Sequence, residues 1–192
     1  MPRSLRSAFL IAALASCGAG GSGTAGKDNA MNDSTTVAQF TMTSSDIRDG
    51  QPIPAVYTCD GANQSPELAW PEPPAATKSF VLIVDDPDAP GGTFYHWGVF
   101  HIPATRREIA RGAGNGGSNT NFVQVVNGFG NSGYGGPCPP KGHGPHRYRF
   151  KLYALDVEKL TLPPDAKIPE VEQQAQQHKI AVAQITGTYE RK

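Results

Sequence analysis

Sixteen residues, DDPDAPGGTFYHWGVF from Asp85 to Phe100, hold three carboxylates, two prolines and a histidine among aromatic rings. Carboxylates beside a histidine can do acid–base work, ligate a metal or supply the polar contacts of a binding pocket. Pro87 and Pro90 fix their own φ and restrict the residue before each, so the acids are held stiffly. That stiffness suits a binding site and a purely structural turn equally well.

A second cluster, GFGNSGYGGPCPPKGHGPHRY from Gly128 to Tyr148, brings His143, His146 and Tyr148. Gly133, Gly135 and Gly136 would let backbone amides approach a ligand closely and form an anion-binding nest. The GxxxxGK[ST] order of a nucleotide loop is missing, and so are HExxH and paired CxxC motifs, so neither a nucleotide cofactor nor a metal is expected. A hydrolase would need a nucleophile, and there is no GxSxG elbow. The reading is therefore of a site that binds, with no catalytic residues.

These clusters must be carried by elements. SFVLIV, Ser79 to Val84, is a nearly continuous apolar run of the kind expected for a strand covered on both faces. HWGVFHI, His96 to Ile102, reads as another. In HRYRFKLYALD, alternation places His146, Tyr148, Phe150, Leu152 and Ala154 on one face and Arg147, Arg149, Lys151, Tyr153 and Leu155 on the other. His146 and Tyr148 thus share the apolar face, at a point where the core opens into a pocket.

Phe40 to Thr43 is a further possible strand. The run PEVEQQAQQHK, Pro169 to Lys179, has proline at a first helical position and acids in the first turn, and predicts a helix. AQITGTYE returns to a strand. Trp70 and Trp97 read as packing residues, His178 as a surface residue, and His101 as facing away from His96. The expected fold class is mostly β, two packed antiparallel sheets with a short C-terminal helix and a small pocket at one end.

The chain has 192 residues, no formal net charge, 22 glycines and 17 prolines. Balanced charge gives no ground for nucleic-acid binding or electrostatic attraction to anionic lipid. Abundant Gly and Pro favour a loop-rich β protein over a helical bundle.

At the N-terminus, MPRSLRSAFLIAALASC has two arginines followed by an apolar run too short to span a bilayer, as in an export signal over residues 1–16. Leu14-Ala15-Ser16-Cys17 resembles the bacterial lipobox, which implies lipidation of Cys17. Residues 17–36 are small and polar, too poor in apolar surface to offset ordering entropy, and read as a flexible tether. The globular domain is expected over 37–192, and the location is the bacterial cell envelope, held to a membrane through the lipid anchor.

Taken in order, IPAVYTCDGANQSPELAW, DDPDAP, YHW, GYGGPCPPKG, PHRYRFKLYALD and HKIAVAQITGTYER resemble the phosphatidylethanolamine-binding protein family, especially its bacterial Raf-kinase-inhibitor-like branch. The likeness runs from about Phe40 to Arg191. It implies a preformed pocket for a phosphate-type anion or phospholipid head group, lined by Asp86, Pro90, His96, Gly136, His146 and Tyr148. In the resembled fold the regions of Cys59 and Cys138 approach each other, so in an oxidising compartment the two are expected to pair. Gly112 to Val126 follows no recognisable family pattern, nor is the kinase-contact surface of eukaryotic members recognisable. A protein-interaction module that inhibits a protease or kinase, its partner unknown, is the alternative function.

Overall fold

The structure, a computed structural model, describes residues 39–116 and 121–192. The expected signal (1–16), the tether (17–36) and Cys17 lie outside the described residues. In chain order the elements are β1 (Leu68–Ala69), β2 (Ser79–Asp86), β3 (Phe94–Pro103), β4 (Glu108–Ile109), β5 (Val123–Gln124), β6 (His146–Leu155), α1 (Ile168–Gln177) and β7 (Lys179–Tyr189).

Five strands form one antiparallel sheet in the order β5-β3-β2-β6-β7, and β1 pairs with β4 in a second, small antiparallel sheet. Every residue of β2 is buried because that strand sits at the centre of the sheet with both faces covered. Phe80, Leu82 and Val84 pack on one side with Leu68, Trp70 and Ile109 from the small sheet and its flanks. Val81 and Ile83 pack on the other with Ile168, Val171 and Ala175 of α1. The helix covers this outer face because its apolar residues recur at three- and four-residue spacing.

The expected mostly-β fold with two antiparallel sheets and one short helix is what the chain adopts, with shifts at element ends. The helix begins at Ile168, where the Lys167 amide is capped by the Glu170 carboxylate at 2.7 Å. It ends at Gln177, and β7 starts at once at Lys179, well before the AQITGTYE run. The expected strand at Phe40–Thr43 is reduced to one bridge between Thr43 and Ala69.

Two irregularities in β3 decide which side chains reach the inner face. Between the pairs Val84↔Trp97 and Asp85↔Tyr95, His96 is an extra residue on β3. Such a bulge lets successive side chains project to one side. Trp97 packs in the inner core while His96 stands edge-on to the inner-facing Tyr148, ring centroids 5.1 Å apart. A second shift lies near His101, whose backbone is left-handed at φ 58° and whose ring accepts the Leu160 amide on the outer side at 3.2 Å.

Candidate functional site

At the end of the large sheet, Asp86 closes β2, His96 bulges from β3 and His146 opens β6. The three line a hollow of about 190 Å³ with Pro90, Phe94 and Phe129, and Cys138, Pro139 and Pro140 form its far wall. Asp86 and His146 meet because β2 and β6 are antiparallel neighbours, so the end of one lies beside the start of the other.

Asp86 and His146 are both buried, and the Nδ1–H of His146 donates to Asp86 Oδ2 at 2.7 Å. Asp86 Oδ1 accepts the Asp88 amide at 2.8 Å, which fixes the carboxylate plane. The other ring nitrogen of His146 faces His143 Nδ1 at 3.0 Å, a separation that holds one shared proton. His143, which is not among the six residues assigned to the pocket, therefore continues the Asp86–His146 pair outward. The signal for it was its place three residues before His146 with Gly144 between them, which turns the chain at φ 83°.

His96 is anchored from the opposite side. Its Nδ1–H donates to the Gly135 carbonyl at 2.7 Å, which leaves Nε2 as an acceptor. Burial drives the pKa of this imidazole down, against smaller opposing effects of the Gly135 carbonyl and Asp86, so the ring is held neutral. Tyr148 is fully buried behind the hollow, and its hydroxyl pKa is raised, first by burial and then by the charge of Asp86. Just outside, Arg147 forms an ion pair with Asp88 and holds that carboxyl near a pKa of about 2.

Of the six residues assigned to a pocket, Asp86, Pro90, His96 and His146 line one hollow, and Tyr148 lies against His96. Gly136 is the exception, and the expected amide nest requires correction. Its N–H donates to Asn63 Oδ1 at 2.7 Å, Gly135 N–H to the His96 carbonyl at 2.9 Å, and Gly133 N–H to Val125. All three amides are spent within the protein. Gly136 instead borders an adjoining hollow of about 280 Å³ with Asn63 and Asn131. A Cβ there would lie 2.4 Å from the Tyr57 carbonyl, so close backbone packing explains the glycine.

Cys59 and Cys138 form the expected disulfide, with Cα atoms 5.4 Å apart. It ties the proline-rich wall of the hollow to the segment around Tyr57. A larger groove of about 380 Å³ lies on the outer face beside Asp85, Arg149, Lys151 and Glu172. Its charges already neutralise one another, Arg149 and Lys151 both reaching Asp85 at 2.7 Å, whereas the smaller hollow retains unspent polar groups.

The class of structure is a β scaffold that presents a small hollow with a few buried polar groups at its strand ends. The family model described as "Phosphatidylethanolamine-binding protein" matches residues 43–190, and the chain belongs to that family. A UPF0098 protein of Aquifex aeolicus is 50% identical over 145 residues, 76% of this chain and 85% of the relative. LppC of Mycobacterium tuberculosis, named as a candidate lipoprotein, is 38% identical over 190 residues, 94% of this chain and 92% of the relative. The crystal structure of YbcL from E. coli, titled a new member of the mammalian PEBP family, superposes with a TM-score of 0.76 at 41% identity. It covers 81% of this chain and 100% of that one.

Proposed function

We propose that this protein binds a small phosphate-type anion, free or as a phospholipid head group, without transforming it. The observation that carries the reading is the meeting of Asp86, His96 and His146, from three strands, around a hollow sized for one such group. The Tyr148 hydroxyl supplies a donor for an anionic oxygen, and the His143–His146 pair supplies another, at His143 Nε2, once it carries one proton beyond the shared one. Cys138, the thiol-derived group at the hollow, is held in a disulfide and so is no nucleophile. Titration calorimetry with inorganic phosphate and phosphoethanolamine tests this. Binding that weakens about tenfold or more in His146→Ala, as for loss of a charge-assisted contact, supports it. Equal affinity in the variant, or no binding by the wild type, refutes it.

The same reading places the domain in a bacterial cell envelope, tethered through a lipidated Cys17. The lipobox-like LASC and the lipoprotein name of LppC support this. In cells, Cys17→Ser would move the full chain from the membrane fraction to the soluble fraction. Retention on the membrane would count against the anchor.

A second reading, a module that inhibits a protease or kinase, draws on Phe129, exposed at the hollow, and on Val123 and Val126, exposed earlier in the same segment. A specific envelope partner captured equally well by wild type and His96→Ala would favour it.

A further inference from the structure

Among the described residues, four buried side-chain polar atoms lack a hydrogen-bond partner, and two of them belong to the site: His96 Nε2 and the Tyr148 hydroxyl. Buried polar groups are almost always paired, and leaving one unpaired is costly, so two together in touching rings mark a place shaped for a ligand. Their chemistry is unequal. The hydroxyl can donate or accept, but His96 Nε2 can only accept, because the Gly135 carbonyl claims the hydrogen on Nδ1. Asp86, beside it, is acceptor-only as well.

A fully ionised oxyanion would therefore meet a lone pair on His96 and a carboxylate on Asp86, both repulsive. Resting on the pocket reading above, we propose that the hollow recognises inorganic phosphate or a phosphate monoester in its protonated, singly charged form. One P–OH donates to His96 Nε2, and a remaining oxygen accepts from the Tyr148 hydroxyl. Sulfate carries no such hydrogen near neutral pH, and neither does a phosphodiester, so the proposal narrows the reading above to the free anion or a monoester head group and excludes the diester of an intact phospholipid.

Neither His96 Nε2 nor the Tyr148 hydroxyl is open to solvent at rest, so a covering side chain must move for ligand to enter. Phe129 is 45% exposed, sits on a turn, and stands edge-on to His96 with centroids 5.5 Å apart, which makes it the cover with room to swing. The charged and titratable groups around the ligand are Asp86 at the end of β2, Asp88 just after it, His96 on β3, His143 in the loop, and His146, Arg147 and Tyr148 on β6.

The test is titration calorimetry on the wild-type protein with methyl phosphate, dimethyl phosphate, inorganic phosphate and sulfate. Methyl phosphate and inorganic phosphate should bind on the order of ten- to a hundredfold more tightly than sulfate or dimethyl phosphate, the span expected for one unpaired buried group. Because a monoester loses its second proton near pH 6, its affinity relative to sulfate should fall roughly 20-fold between about pH 5.5 and about pH 7.5. Taking the ratio to sulfate removes any pH effect on the protein that both anions feel alike.

Sulfate or dimethyl phosphate binding as tightly as methyl phosphate would overturn the proton requirement and leave the pocket reading standing. So would a ratio that does not change with pH. Binding of none of the four would remove both.

Discussion

The buried Tyr148 hydroxyl has no group in hydrogen-bonding geometry, although Asp86 lies near enough to raise its pKa, and an unpaired buried hydroxyl costs a fold about 1–3 kcal/mol. Tyr148→Phe removes the hydroxyl and keeps the ring that packs on His96. The variant should therefore unfold at the same or a higher temperature than wild type, while its affinity for inorganic phosphate falls about tenfold, as for one lost hydrogen bond. Thermal denaturation and calorimetry on the same preparation check both halves. A less stable variant with unchanged affinity would show the hydroxyl to be structural. Asp85 and Asp86 make a related point: the first turns to Arg149 and Lys151 on the outer face, the second to His146 on the inner. Adjacent residues of a strand face opposite sides, so two like acids acquire unlike roles.

At the scale of elements, α1 is held to the sheet by polar as well as apolar contacts. Lys151, buried on the outer face of β6, pairs with both Asp85 and Glu172, and Glu172 also accepts from Tyr153 at 2.7 Å. Burial, then the charge of Glu172, pushes the nearby Tyr95 hydroxyl up to about 12. Removing one member of such a cluster strands a buried charge, so Lys151→Ala should destabilise the domain by about 3 kcal/mol in urea denaturation. Pairing Lys151→Met with Glu172→Gln should recover most of that loss, because it removes charges of both signs and restores apolar volume. A double variant as unstable as the single one would contradict the account. The apolar-face alternation of β6 was legible in sequence, but the burial of its charged face was not. That depends on a helix some twenty residues further along docking over it.

For the whole molecule, the Cys59–Cys138 bridge spans 79 residues of sequence and joins the segment before β1 to the wall of the hollow. In the chain-entropy model a loop of that length is worth about 4 kcal/mol. Replacing both cysteines by serine should lower denaturant stability by roughly 2–5 kcal/mol. Phosphate affinity should fall as well, because Pro139 and Pro140 lose their attachment. A double variant with wild-type stability and binding would show that the loop is held by its other contacts alone.

The amino-acid sequence by itself determined the apolar runs of β2 and β6, the helix near Pro169, the polar N-terminal stretch, and the residue types from which a binding site could be built. Those features are local: periodicity, turn chemistry and capping act over a few residues. Only the tertiary structure decided that His96 leaves strict alternation to face inward, that His143 folds onto His146, and that the Gly133–Gly136 amides are spent inside the protein. Each of these depends on which partner lies across a strand or loop distant in sequence. Hydrogen-bond donors and acceptors are satisfied by spatial neighbours, and no pattern along the chain records who those neighbours will be.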